Sequence, residues 1–400
     1  MRIAGVVAEY NPFHNGHARH LEKTRVKGGG CEATHIVAVM SGSFVQRGEP
    51  AVLPKFDRAR AALAGGADLV IELPAPWCLS SAEGFAFGAV SLLEALGCVD
   101  ALSFGSEAGE LKPLQKVVDI MESSRYGSLL RCFTGMGIAY PEAQQKAVAE
   151  IGGEKTASVL STPNNTLGIE YLKALRRLGS RMEPYTVLRQ GSEHDSMAPL
   201  GDIASASYIR SLLASNRLIN SFAYMPSACA HALSEAAQKE RLPADPVLAE
   251  RAVLAKLRLM TAEEFKAVPG ISEGLENRVF NAVRKAKTLA ELENAIKTKR
   301  YPLTRVRRLI WSAFLGIPAG YAAKRPPYLR VLAANERGKE ILSAAQPTVP
   351  LLYRAAQVPK LDEECQALWA LENRVTDLYG LTLASPLPCG EDCTVGLIRE

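Results

Sequence analysis

His14 and His17 stand three residues apart in the run Tyr10-Asn11-Pro12-Phe13-His14-Asn15-Gly16-His17, directly after a short apolar stretch at 3–8. The stretch has the character of a central parallel strand. Asn11-Pro12 is a turn signal that stops it, and the residues from Gly16 onward begin a helix. Gly16 has no side chain to block the approach of a ligand. The first N–H groups of that helix lie at the positive end of its dipole and suit an anion. At this spacing both imidazoles project to one side of the turn, where they can donate hydrogen bonds to phosphate oxygens as charge develops in a transition state. The chemistry that fits is nucleotidyl transfer: the phosphates of a nucleoside triphosphate are held while its α-phosphorus is attacked. The competing readings are a metal pair and a solvated helix face. No third Cys, His or carboxylate stands at a typical zinc spacing, so no protein-bound metal is expected.

Such a turn needs a sheet to hold it. The first half of the chain alternates apolar runs with helical patterns, as a doubly wound α/β domain does. Strands are expected at 3–8, 35–40, 67–72, 101–104 and 185–188, and helices at 55–64 and 80–96. Ligands bind beyond the carboxyl ends of the strands in such sheets. One crevice would then collect residues 11–17, the loop 41–49, Glu72-Leu73-Pro74, Gly105-Ser106-Glu107, and Arg189, which the run 190–195 follows in sequence. Asn164 and Asn165 follow Pro163 before a helical pattern, where they and Thr166 read as caps. A second loop-to-helix signal is Ser205-Ala206-Ser207-Tyr208-Ile209-Arg210. Hydroxyls at a helix start with an arginine one turn later suit a triphosphate tail, although Ser207 also fits an ordinary N-cap.

Strand-like runs become rare from residue 215 onward. Helices are expected at 245–259, 291–299 and 303–315, with one late strand at 349–353. Lys297, Lys299, Arg300, Arg305, Arg307 and Arg308 cluster around Tyr301, and Lys324, Arg325 and Arg330 follow near Tyr321 and Tyr328. Cations meet phosphate and rings stack on bases, so this pattern suits RNA; a solvated helix face is the simpler alternative. The chain has 400 residues, 48% of them hydrophobic, and a formal charge of +5, enough for two domains with substantial cores. Its eight cysteines are scattered without a CxxC pair. No apolar run of about 18 residues is present, and no basic segment leads into a long apolar one. A cytoplasmic protein with reduced thiols and no membrane partner is expected.

The strand–turn–HNGH run resembles the HxGH signature of the nucleotidyltransferase superfamily, which includes the class I aminoacyl-tRNA synthetases. SASYIR resembles that superfamily's second motif, usually ISSTxIR, with Ala206 in place of a hydroxyl residue. Across both halves the runs GVVAEYNPFHNGH, VMSGSFVQRGEPA, GADLVIELP, FGSE, PNNTLGIEYLKAL, SASYIR, EGLENR and YPLTRVRR resemble, in order, the bacterial tRNA(Met) cytidine acetate ligases. The resemblance implies a Rossmann-like parallel-sheet nucleotidyltransferase domain at 1–215, followed by a mostly helical, tRNA-binding domain at 216–400. It also implies an enzyme that activates acetate with ATP to acetyl-adenylate and acetylates N4 of the wobble cytidine of elongator tRNA(Met). The implied ATP contacts are Val7, Ala8, Glu9, Tyr10, Asn11, Pro12, Phe13, His14, Asn15, Gly16, His17, Ala18, Arg19 and His20, together with Gly105, Asn164 in preference to Asn165, and Arg189.

Joined to the residues, this assigns His14 and His17 to the α-phosphate and leaving group, and Gly105 to close backbone approach by the nucleoside. Arg189, Ser207 and Arg210 face phosphates. Mg²⁺ is expected on the pyrophosphate oxygens with few protein ligands, and the loop 41–49 as a wall of the acetate pocket. A small-metabolite nucleotidyltransferase would share HxGH but would not need the basic helical half. A non-enzymatic RNA-binding protein would not need His14 and His17 intact. A synthetase making an aminoacyl-adenylate lacks a KMSKS-like lysine loop here.

Overall fold

The computed structural model describes residues 1–27, 30–189, 199–272 and 274–400. The run 190–195 and Glu273 of the EGLENR stretch lie outside the described residues. In chain order the first seven strands are β1 (Ile3–Ala8), β2 (His35–Ser41), the antiparallel hairpin β3 (Phe44–Val45) and β4 (Glu49–Pro50), β5 (Leu69–Leu73), β6 (Ala101–Ser106) and β7 (Glu183–Leu188). Apart from the hairpin they form a parallel sheet in the order β5-β2-β1-β6-β7. The sequence runs outward from β1 in both directions, so the order reverses between β1 and β6. Doubly wound sheets open a ligand crevice at that point, at the carboxyl ends of the strands.

Side-chain alternation decides what covers each face. Ile3, Val37, Val39, Leu69, Ile71, Leu102 and Phe104 face one core with α3 (Ala82–Ala95) and α4 (Pro163–Leu178), whereas Ala4, Val6, Ile36, Ala38, Met40 and Val70 face a second core with α1 (Asn15–Arg25) and α2 (Lys55–Ala64). Two further helices bear on the site, α5 (Ala206–Ala214) and α6 (Leu303–Leu315), and a third, α7 (Glu363–Tyr379), meets the chain beyond β4, where the Tyr379 hydroxyl donates to the Ala51 carbonyl at 2.8 Å. The parallel sheet followed by a mostly helical region is the architecture expected from the sequence.

The later half also returns to the sheet. β8 (Leu329–Ala334) pairs antiparallel with β5, and β9 (Leu351–Leu352) and β10 (Ile398–Arg399) pair with β8. The late strand expected at 349–353 is only the two residues of β9, and no expected strand covered β8. Its apolar run was obscured by Arg330, read as part of a basic surface. Arg330 is instead buried, with Nη2 3.3 Å from Asp392 Oδ1 and its guanidinium over the Trp369 ring. Tyr328 is buried too. Asp392 also meets Lys55 Nζ at 2.8 Å, and Lys55 meets Glu72 at 2.7 Å, so the chain's last segment is tied under β5 by buried ions.

Candidate active site

The turn after β1 is built around its own histidines. Tyr10 takes a left-handed φ of 45°, and Asn11 Oδ1 accepts from the Val52 N–H at 2.7 Å, anchoring the turn to the chain beyond β4. His14 is the N-cap of α1: its Nδ1 accepts from Gly16 N–H at 3.0 Å, while His17 Nδ1 accepts from His14 N–H at 3.3 Å. The two rings stack with centroids 3.8 Å apart, and His17 also packs against Tyr10 and Phe13.

This reciprocal capping changes two expectations. The His14 and Gly16 N–H groups point into the cap, and His17 N–H donates to the His14 carbonyl at 2.8 Å, so these three are not presented to an anion. Gly16 serves the ring beside it, because a Cβ there would lie 2.8 Å from His14 Cε1. Two further donors are on the rings. An Nδ1 that accepts a hydrogen bond carries no proton, so each neutral imidazole holds its proton on Nε2.

Both rings are neutral at physiological pH. Burial, reinforced by Arg189 and Arg210, holds His14 down to about 3. Burial and then His14, Arg189 and His20 hold His17 well below the ordinary histidine value. Burial and Arg189 hold His20 down to about 4, and its Nε2 lies 3.0 Å from Ser103 Oγ on β6.

The other expected groups converge on this turn. Arg210 of α5 donates to the Asn11 carbonyl at 2.9 Å and to Ser207 Oγ at 3.1 Å. Ser205, not Ser207, is the N-cap of α5, accepting from Tyr208 N–H at 3.0 Å. Asn15 Nδ2 donates to the Asp202 carbonyl at 2.8 Å, and Arg19 pairs with the Asp202 carboxylate at 2.7 Å, joining the histidine turn to the loop before α5.

On the other side of the crevice Arg189 Nη1 donates to Asn164 Oδ1 at 3.0 Å. Gly105 makes room for that arginine, since a Cβ there would lie 3.2 Å from Arg189 Cγ. Asn164 and Asn165 are not caps. The Glu107 carboxylate does the capping, accepting from Asn165 N–H at 2.8 Å and Asn164 Nδ2 at 2.5 Å; burial opposes its charge, but these bonds hold its carboxyl below the ordinary value. Asn165 Oδ1 is turned away to the Ala108 N–H at 3.0 Å.

The sequence places Glu107 in the crevice but assigns it no partner; its signal is an acid at a strand end opposite a helix start. Arg58, fully buried in α2, carries no expected role at all. It donates to the Glu9 carbonyl at 2.7 Å, the Leu53 carbonyl at 3.1 Å and the Gly42 carbonyl, and so fastens the histidine turn to the loop 41–49. Its sequence signal was only a charge in an Ala-rich helix. The Glu9 carboxylate accepts from Gln46 N–H at 2.7 Å, and burial raises its pKa.

The basic cluster divides. Lys297, Lys299 and Arg300 are exposed on the loop before α6. Arg305 donates to the Gly270 carbonyl at 2.9 Å. Arg307 pairs with Glu49 of β4 and with Glu293 at 3.1 Å, and Arg308 donates to the Gln46 carbonyl at 3.1 Å.

Comparison with known proteins gives a consistent answer over the full chain. The family model for HIGH Nucleotidyl Transferase matches residues 1–389. A protein of Alkaliphilus metalliredigens named tRNA(Met) cytidine acetate ligase is 37% identical over 404 residues, covering 96% of this chain and 95% of the relative. One of the same name from Thermoanaerobacter pseudethanolicus is 39% identical over 406 residues, covering 100% of both. The crystal structure of apo Thermotoga maritima TmcAL superposes with a TM-score of 0.93 at 31% identity, covering 100% of both chains. The structure of TmcAL bound with alpha-thio ATP superposes with a TM-score of 0.92 at the same 31% identity and coverage.

Proposed function

The chain belongs to the tRNA(Met) cytidine acetate ligase family of HIGH nucleotidyl transferases, and on that premise we propose that it activates acetate with ATP and transfers the acetyl group to a cytidine of tRNA(Met). The observation that carries the chemistry is the stacked pair of imidazoles at the switch point, each accepting a backbone hydrogen bond on Nδ1, which leaves its proton on Nε2.

In the first step an acetate oxygen attacks the α-phosphorus. The bond from that phosphorus to the bridging oxygen breaks, and pyrophosphate leaves with the electron pair. His14 and His17 donate from Nε2 to the α-phosphate and the leaving group. Because they are neutral they strengthen as donors when charge builds, without having to give up a proton. Arg189, Ser207 and Arg210 hold the phosphates from either side, and the loop 7–20 with Gly105 encloses the nucleotide. Asn164 is the contact of its pair, because its side chain sits on Arg189 while that of Asn165 is committed to Ala108. Among the described residues no group of three or more His, Cys, Asp or Glu could hold a metal. Mg²⁺ would then arrive on the triphosphate itself, supplying charge neutralisation there.

In the second step the N4 amine of the wobble cytidine of elongator tRNA(Met) attacks the acyl carbon, AMP leaves with the electron pair, and the amine loses a proton. An anticodon loop offers that base unstacked. Residues 1–215 carry the nucleotide site. Residues 216–400, apart from the strands that return to the sheet, carry the tRNA surface, with Lys297, Lys299 and Arg300 as phosphate contacts. Among the described residues no helix is long and apolar enough to cross a membrane; we place the reaction in the cytoplasm.

ATP–pyrophosphate exchange tests this reading. Acetate should drive exchange in preference to amino acids, and labelled acetate should reach tRNA(Met). His14→Ala should abolish exchange while tRNA binding survives. No exchange with acetate and no labelled tRNA would sink the proposal.

A further inference from the structure

We propose that Arg307 and Arg308 are positioning residues for acetate activation, acting on the nucleotide turn through the β3–β4 hairpin, and are not RNA ligands. The inference rests on the function proposed above. Both arginines lie on the face of α6 that meets the hairpin. Arg308 Nη1 donates to the Gln46 carbonyl at 3.1 Å, and the Gln46 N–H donates to Glu9 Oε1 at 2.7 Å. Gln46 is thus gripped on one side by α6 and on the other by the residue between β1 and Tyr10. Arg307 fixes the second strand through Glu49 and is braced behind by Glu293.

Packing supports the same docking. A Cβ on Gly48 would lie 2.5 Å from Arg308 N, so the hairpin tip meets the α6 backbone with no space between, and Gly48 has a φ of 77°. Phe44 packs on Trp311, one turn further along α6, with centroids 5.1 Å apart. On the inner side Arg58 ties the Glu9 and Gly42 carbonyls together. The hairpin is therefore wedged between α6 and the turn that carries His14 and His17. Arg307 already faces two carboxylates, which leaves little net charge to attract phosphate. Burial and Arg305 lower the Arg308 guanidinium to about 10, consistent with an internal role.

The test uses the full chain with three readouts: acetate-dependent ATP–pyrophosphate exchange without tRNA, tRNA(Met) affinity at fixed salt, and hydrogen exchange of the Gln46 amide. Arg308→Ala and Arg307→Ala should each lower the exchange kcat roughly tenfold or more, because small displacements of reacting groups are costly. Affinity for tRNA should stay within about twofold, as expected when every cation that meets a phosphate is still in place. Glu49→Gln should copy Arg307→Ala, and the double variant should be no worse than either single one. Arg308→Lys should recover part of the rate, since an ammonium still donates to the Gln46 carbonyl. The Gln46 amide should exchange faster in Arg308→Ala. Unchanged tRNA-free exchange with weakened tRNA binding would overturn the inference and make these arginines RNA contacts. A loss that merely follows a loss of folded protein, with no recovery in Arg308→Lys and no effect of Glu49→Gln, would overturn it as well. If the unsubstituted chain shows no exchange with acetate, the proposed function falls, and the Gln46 amide then decides the positioning claim on its own.

Discussion

His14 and His17 cap their own helix through Nδ1, and that single arrangement sets tautomer and direction, while burial keeps both rings neutral. Neutrality has a consequence for pH. His14 has a folded value of about 3 and His20 of about 4, against an ordinary value of 6.5. As pH falls below 6.5 the unfolded chain takes up protons that the folded chain refuses. Stability is therefore full above that value and is lost progressively down to the folded values. Each such histidine removes up to about 1.4 kcal/mol per pH unit in that window. The urea midpoint should be lower at pH 5 than at pH 7, and His20→Gln should flatten the slope; an unchanged midpoint would contradict the buried, neutral state. Over the range where the protein stays folded, the acetate-dependent exchange rate should show no acid limb near 6.5, because neither ring titrates there. Gly16→Ala should displace the His14 ring, which its Cβ would approach to 2.8 Å, and cut exchange far more than it cuts stability.

Elements matter here for what they hold in place. Arg58 brings one cation to three carbonyls from three separate stretches, at Glu9, Gly42 and Leu53. A lysine has one compact head and cannot span them. Arg58→Lys should cost about 2–4 kcal/mol, the range for buried bonds from a charged donor left unmade. The checks are the denaturation midpoint and exchange activity, which should fall together; a variant with wild-type stability would show that the three stretches are held by something else. The sequence exposed these elements unevenly. α2 and α6 have the expected limits, 55–64 and 303–315: the first is Ala-rich, the second follows Tyr301-Pro302, and each ends at a glycine. The caps were less legible. Glu107 caps α4 from a distant strand end, which no local pattern at Asn164 and Asn165 can reveal.

At the scale of the molecule, sequence order and spatial order part company. A texture change near 215 suggests a simple division, yet β8 closes the exposed edge of β5, and Asp392 completes the ion cluster at Lys55. Residues 1–215 expressed alone would bare that strand edge and leave Lys55 short of a partner. That fragment should aggregate or fail to fold, as read by size exclusion and circular dichroism; a folded monomer would contradict it. The proposed RNA surface is smaller than the run of basic residues, because Arg307 and Arg308 are turned to the hairpin. Replacing Lys297, Lys299 and Arg300 with alanine should weaken tRNA binding and flatten its salt dependence. The log–log slope should fall by about 0.7 for each single-strand phosphate that is no longer neutralised. An unchanged slope would move the RNA surface elsewhere.

Residue type and local spacing were sufficient for the parts of this protein that are contiguous in the chain: the strand–turn–helix of residues 3–17, the parallel-sheet class, and the pairing of HNGH with a later serine–arginine motif. Those features follow from periodicity and turn chemistry, which act over a few residues. Only the tertiary structure decided that Gly16 lies against a ring, that Gly105 lies against Arg189, that Arg307 and Arg308 face the hairpin, and that Arg330 belongs to the core. In each case the deciding neighbour comes from a separate stretch of chain or from a rotamer that the fold imposes. A charge or a glycine has the same letter whether it meets water, phosphate or another side chain, and its surroundings exist only once the chain has folded.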